Sequence, residues 1–393
     1  MDNPLVETME PYASTIFSEM SELASRTGAV NLGQGFPDIQ GPDFLVDLAC
    51  EAIRAGHNQY APRSGVPELR RAIAEHQRRF YGLDVDPDTE VLVTAGATEA
   101  IAATILAMVR PGDEVVTFEP YFDCYPAMVA RAGGILRTVP LHFPDHALDE
   151  AALAAAFSDR TRLVLLNTPH NPTGKVFTRE EMAVVAELAV RHDAWIVTDE
   201  VYEHLVLDDV PHIPMATLPE VADRTLTMSS AGKTFSMTGW KVGWVTGPAA
   251  GVEAVTSMKQ WLTFTTSGPF QYAVAEGLGM DDAGYAELTT ELRARRAQLL
   301  TGLAQLGVPT NRPASTYFAL ADFSGFGMRQ ALTEMPGFAE EHGFVGVPAA
   351  AFVTGPEVEA AGPLVRLAFC KREEVVTAGL ERLAAAARRP TAR

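Results

Sequence analysis

Six short apolar runs, each bounded by turn-forming residues, constrain the fold of this chain more than any other feature. They are Val91–Thr94, Glu114–Phe118, Leu163–Leu166, Trp195–Thr198, Thr225–Met228 and Val242–Thr246. Each has the length of a strand rather than a helix, and its continuous apolar character suits a parallel strand buried on both faces. Helical patterns lie between several of them, as in Thr98–Val109 and Arg179–Arg191. Such alternation predicts an α/β fold with a mostly parallel sheet covered by helices on both sides.

From about Asp281 the texture changes. Ala286–Leu306 reads as one long helix, Thr316–Ala321 and Leu364–Phe369 as strands, and the chain closes on a helix from Glu373. This predicts a smaller α+β domain. The first forty residues read as irregular, broken by Gly33, Gly35, Pro37, Gly41 and Pro42, and are expected to complete that domain. The 393 residues suffice for two domains, with an arm at 1–42, a large domain at 43–282 and a small one at 283–393.

Charge and cysteine usage restrict the partners. A net charge of −19 repels nucleic-acid phosphates. The basic cluster Arg293, Arg295 and Arg296 falls in a helical pattern and reads as a solvated face. Cys50, Cys124 and Cys370 are few and far apart, which argues against a disulfide framework or a zinc site, and no metal is expected. Met1–Met20 carries acidic residues and no long apolar run, so neither a signal peptide nor a membrane span is read there, and the cytoplasm is the expected compartment.

Open α/β sheets bind ligands at the carboxyl ends of their strands. After the first run comes Ala95-Gly96-Ala97-Thr98-Glu99, opening a helix. After the second comes Pro120-Tyr121-Phe122-Asp123, and after the third Asn167-Thr168-Pro169-His170-Asn171-Pro172-Thr173-Gly174. Asp199-Glu200-Val201-Tyr202 follows the fourth, and Ser229-Ser230-Ala231-Gly232-Lys233 the fifth. Taken singly, each has a plain structural reading: a turn, a core aromatic, a helix cap or a surface lysine. Together they supply a helix N-terminus for a phosphate, an aromatic to stack, an amide, an acid with a tyrosine, and a lysine able to form an imine. One cofactor, pyridoxal phosphate, needs all of these.

The segment Ser229–Trp244, SSAGKTFSMTGWKVGW, closely resembles the pyridoxal-lysine motif of class I/II aminotransferases of fold type I. HNPTG at His170–Gly174, TDEVYEHL at Thr198–Leu205, NLGQGFPD at Asn31–Asp38 and VRLAFCK at Val365–Lys371 resemble further motifs of that family. The resemblance runs from about Tyr12 to the C-terminal helix. It is nearest to the kynurenine/glutamine/methionine aminotransferase branch and the bacterial N-succinyldiaminopimelate aminotransferases. It implies a fold-type-I transferase that uses pyridoxal 5'-phosphate to move an amino group from an amino acid to a 2-oxo acid. Lys233 would carry the cofactor as a Schiff base and move the proton. Asp199 would pair with the ring nitrogen, Asn171 and Tyr202 would reach the phenolic oxygen, and Phe122 would stack on the ring. The backbone of Ala97 and Thr98, with Ser230 and Lys241, would hold the phosphate. Arg366 would grip the substrate carboxylate, helped by Asn171 and the Gly35 backbone. Tyr60 would reach the phosphate of the other subunit of a homodimer, and Thr266 and Ser267 would line the neighbour's pocket. The family serine two residues after Pro348 is here Ala350.

No second arginine is anchored by a motif, and the expected pocket wall of Phe17, Phe122, Tyr125, Thr266 and Phe352 is neutral. Neutral donors are therefore expected, with an acylated diaminopimelate as the runner-up. A β-lyase or other reaction on the same scaffold is the alternative enzyme, since fold alone does not decide the outcome. A regulator borrowing the fold would need a DNA-binding module, and the residues before Asn31 show no basic helix-turn-helix pattern.

Overall fold

Successive residues of a strand point to opposite faces of its sheet, and the apolar runs use both faces. Leu163 and Leu165 pack into one core, Val164 and Leu166 into another, and all four are fully buried. A computed structural model describes residues 4–38 and 40–388. Its strands in chain order are β1 (Val30–Asn31), β2 (Val91–Thr94), β3 (Glu114–Glu119), β4 (Ile135–Pro140), β5 (Thr161–Asn167) and β6 (Trp195–Asp199), followed by β7 (Thr225–Ser230), β8 (Gly243–Thr246), β9 (Phe318–Asp322), β10 (Phe344–Val345), β11 (Val347–Pro348) and β12 (Leu364–Ala368).

Seven strands form the main sheet in the order β2-β8-β7-β6-β5-β3-β4. All run one way except β8, which is antiparallel to both β2 and β7. The sequence expectation of a parallel strand at Val242–Thr246 is corrected here. A parallel partner needs a crossover of a dozen residues or more, usually helical. The twelve residues between β7 and β8 hold only the one-turn helix Ala231–Thr234 and the 3-10 turn Thr238–Trp240, too little helix to carry the chain back across the sheet face. Edge strand β4 escaped the sequence reading because its Arg137 and Thr138 interrupt the apolar run.

Helices Ala97–Met108, Cys124–Ala132 and Ala249–Lys259 cover one face through Ile101, Val129 and Val255. Helix Arg179–Arg191 covers the other through Met182, Val185 and Leu188. Beyond β8, helices Asp43–Arg54, Pro67–Tyr81 and Gly268–Leu278 bury Leu45, Ile73 and Val274 against Val93 and Trp244.

A separate core gathers Leu299, Leu303, Phe323, Phe344, Val365, Leu367 and Leu383 with Met20, Leu23 and Leu32 from the N-terminal segment. There β9, β12 and β11 form an antiparallel sheet, and β1 pairs parallel with β10. The N-terminal segment is less irregular than expected, since Ile16–Thr27 is a helix. Thr15 caps it by accepting the Ser18 N–H at 3.2 Å, and Gly28 ends it at φ +66°. The long helix starts earlier than its apolar pattern suggested, at Asp282, because Asp281 accepts the Gly284 N–H at 2.8 Å. The arginine cluster on that helix is not simply a solvated face. Arg296 pairs with Asp208 at 2.6 Å, Arg293 donates to the Leu207 carbonyl at 3.0 Å and Arg295 meets Glu373 at 2.9 Å. No helix among the described residues is long and apolar enough to cross a membrane.

Candidate active site

The carboxyl ends of β5 and β6 lie side by side, with Asn167 paired in register to Asp199. Asn167 fixes both neighbours: its Nδ2 donates to the Asp199 carbonyl at 2.8 Å, and its Oδ1 accepts the Asn171 N–H at 2.7 Å. The Asp199 carboxylate accepts the Tyr125 hydroxyl at 2.7 Å. Burial nevertheless pushes Asp199 up to about 6, with Tyr125 and Lys233 only partly opposing it. A buried acid so poised gains from a cationic nitrogen placed beside it.

Ser230 ends β7 and caps the short helix that presents Lys233. Lys233 Nζ donates to the Tyr317 hydroxyl at 3.0 Å, and Tyr317 donates its own proton to the Gly35 carbonyl at 2.8 Å. The ammonium also lies 5.8 Å from the centre of the Tyr202 ring. Burial lowers Lys233 to about 8, helped by the positive Arg366 and Lys241, and opposed by Cys370 and Asp199. A lysine near neutrality can act as a nucleophile and as a base.

Helix Ala97–Met108 begins beside it. Its first turn leaves backbone N–H groups at Ala97 and Thr98 without helical partners. Gly96 enters at φ +79°, and a Cβ there would lie 3.1 Å from Lys241 Nζ. A Cβ on Gly243 would come within 2.7 Å of the Ala97 nitrogen, so two glycines let strand and helix start close up. Ser230 and Lys241 line the same cavity, making this corner suited to an anion.

Arg366, on β12, stands at the opposite end. It is 1% exposed and ringed by Phe318 at 4.2 Å, Phe17 at 4.7 Å and Phe352 at 5.3 Å. Its guanidinium donates to Asn171 Oδ1 at 3.2 Å and the Gly33 carbonyl at 2.9 Å, while Nε is buried without a partner. Among the described residues no carboxylate lies within the 4.0 Å of an ion pair. Burial lowers it to about 10. An uncompensated buried cation costs on the order of several kcal/mol, which a planar carboxylate accepting two N–H bonds would offset.

These groups line one cavity of about 320 Å³. It brings together Lys233, Asp199, Tyr202, Ala97, Thr98, Phe122, Asn171, Ser230, Lys241, Gly35, Arg366 and Phe17. Tyr60 lies elsewhere, on a surface recess shared with Thr266 and Ser267. Several expectations are corrected. Tyr125 stands behind Asp199 rather than on the wall. Phe352 stacks behind Phe17 at 5.6 Å. Arg366 donates to the Gly33 carbonyl, while the Gly35 carbonyl accepts from Tyr317 and Gly35 lines the cavity as expected. Ala350 is buried against Leu320 and Leu364, away from the cavity. Sequence reasoning missed the contact of Tyr317 with Lys233, the bridging of Asn167 and the packing of Phe318 on Arg366. Asn167 was visible at a strand end. Nothing local signals Tyr317, which reaches Lys233 from the core shared with the N-terminal segment.

Residues 27–383 match the family Aminotransferase class I and II. The chain belongs to that family. It is 46% identical to a probable N-succinyldiaminopimelate aminotransferase of Mycobacterium tuberculosis, over 98% of this chain and 99% of the relative. It is 38% identical to the methionine aminotransferase of Escherichia coli, over 97% and 99%. A solved structure of N-succinyldiaminopimelate aminotransferase from Mycobacterium tuberculosis matches with a TM-score of 0.94, covering 97% of this chain and 100% of that one. This aminotransferase therefore has the fold-type-I architecture that its motifs implied.

Proposed function

We propose that this aminotransferase holds pyridoxal 5'-phosphate on Lys233 and moves amino groups from neutral α-amino acids to 2-oxo acids. The observation that carries the reading is Arg366, a buried guanidinium with a spare donor, facing across one cavity toward Lys233 and Asp199. The donor set fits the cofactor. The start of helix Ala97–Met108, with Ser230 and Lys241, suits its phosphate, Asp199 its ring nitrogen, Asn171 and Tyr202 its phenolic oxygen, and Phe122 its ring face. When bound, the cofactor supplies an electron sink for the substrate α-carbon. Lys233 then takes and returns the α-proton, Arg366 and Asn171 orient the substrate carboxylate, and the aromatic wall excludes water.

Phe17, Gln34, Phe36, Phe122 and Phe318 line the cavity without charge, and its cations are Lys233, Lys241 and Arg366. This supports neutral donors such as methionine, glutamine, phenylalanine or kynurenine. A methylene separates such donors by only about 1–3 kcal/mol, so broad specificity is expected. The 46% identical Mycobacterium tuberculosis relative favours a second reading, N-succinyldiaminopimelate. A donor screen, following the absorbance of the lysine-bound cofactor as each amino acid is added, tests both. Catalytic efficiency about a hundredfold higher for aspartate than for every neutral donor would overturn the neutral-wall reading.

The working unit is a homodimer. Tyr60 and Trp261 are 82% and 81% exposed, and the Tyr60 ring packs edge-on to Phe264, itself half exposed, at 5.5 Å. Such an aromatic patch suits a protein partner, and a second copy would bring Tyr60 to the neighbouring site. The three unpaired cysteines support the cytoplasm as its compartment.

A further inference from the structure

Away from the cavity, two imidazoles face each other nitrogen to nitrogen. His76 lies on helix Pro67–Tyr81, and His204 follows β6; their Nε2 atoms are 2.6 Å apart. His76 and the adjacent Glu203 are buried, His204 half-buried, and the nearest ligand atoms of the three lie within 4.8 Å of one another. Neutral imidazoles in this pose share a single proton, and His76 Nδ1 is buried with no partner. Glu203 is held from behind: it accepts the Tyr81 hydroxyl at 2.6 Å and a hydrogen bond from Ser229.

We propose that His76, Glu203 and His204 bind one divalent transition-metal ion of the zinc class. Two imidazole nitrogens and a carboxylate oxygen are a ligand set for such ions, and a carboxylate ligand is normally steadied by outer hydrogen bonds, as Tyr81 and Ser229 provide. Tetrahedral binding at about 2.0–2.1 Å sets the two nitrogens roughly 3.3 Å apart. The present 2.6 Å separation would have to widen by only about 0.7 Å to reach this spacing. A fourth position opens on the surface recess lined by Tyr81, His204, His212 and Tyr285, where water can complete the shell. The neighbouring cations are occupied: Arg79 pairs with Asp282 and stacks on Phe80, and Arg293 donates to the Leu207 carbonyl. The ion would pin helix Pro67–Tyr81 to the turn that carries Tyr202. The three cysteines take no part, so their spacing gave no hint of it.

The proposal stands apart from the transamination reading, and its test does not use activity. Holoenzyme cleared of metal by a chelator is titrated with Zn²⁺ alone by calorimetry and with Co²⁺ by visible absorption. One ion per chain at micromolar affinity is expected, with tetrahedral cobalt bands and a raised melting temperature. His76→Gln and His204→Gln should each weaken binding by about tenfold or more and abolish the thermal gain. If His76→Gln does not fold, His204→Gln at the less buried position decides alone. No uptake at micromolar Zn²⁺, equal uptake of Mg²⁺, or uptake unchanged in His204→Gln overturns the site and leaves a shared proton as the whole of the contact.

Discussion

The Tyr317 hydroxyl lies 3.0 Å from Lys233 Nζ and spends its own proton on the Gly35 carbonyl, 2.8 Å away. It can therefore only accept from the lysine, and it ties the amine to the N-terminal segment that faces Arg366. Tyr317→Phe keeps the ring and removes the acceptor. The turnover number should fall by about tenfold or more, because the amine loses its aim. Without the acceptor the ammonium loses support, so the pH at which Lys233 becomes reactive should move down. Unchanged turnover with an unchanged pH profile would show the contact to be idle.

Lys233 itself is lowered to about 8 by burial, from an ordinary 10.5. In protein freed of cofactor, an amine-directed reagent should modify Lys233 with a rate rising through about pH 8. Burial penalises the charged form, so this group opposes folding fully below about pH 8, and the penalty fades as pH rises toward 10.5. In the loaded enzyme, borohydride should fix the cofactor on the peptide containing Lys233, and a label on any other lysine would contradict the assignment.

Asp199→Asn preserves a side chain that can bond Tyr125 but removes the charge offered to a ring nitrogen. Turnover should drop by about a hundredfold or more, with only a modest loss of cofactor affinity. Turnover equal to the parent's would leave Asp199 as a structural cap.

The exposed aromatics Tyr60 and Trp261 should be covered in the working enzyme. Sedimentation at assay concentration is expected to show a dimer. Trp261→Asp should weaken the dimer, while Tyr60→Phe should lower cofactor affinity with the dimer intact. A fully active monomer would refute the composite site.

Much of the site was legible because strand ends carry ligands and because the residues occur in short motifs. Lys233, Asp199, Asn171 and the start of helix Ala97–Met108 all follow apolar runs, and a parallel sheet aligns such ends on one edge. Tyr125 was misplaced for a reason of direction. Sequence spacing does not say which side of a helix or loop faces the cavity, and Tyr125 turns inward to Asp199 instead.

By itself, the sequence determined the layered α/β plan, since continuous apolar runs have no stable place except between two helical layers. It also determined the chemical inventory: one motif lysine, one acid at a strand end and one arginine in VRLAFCK. Tertiary structure alone decided the direction of β8, the burial that lowers Lys233 and raises Asp199, and the meetings of Lys233 with Tyr317 and of His76 with His204. Those depend on which distant segments pack together and on how much water their packing removes, and neither quantity is written in any local stretch of chain.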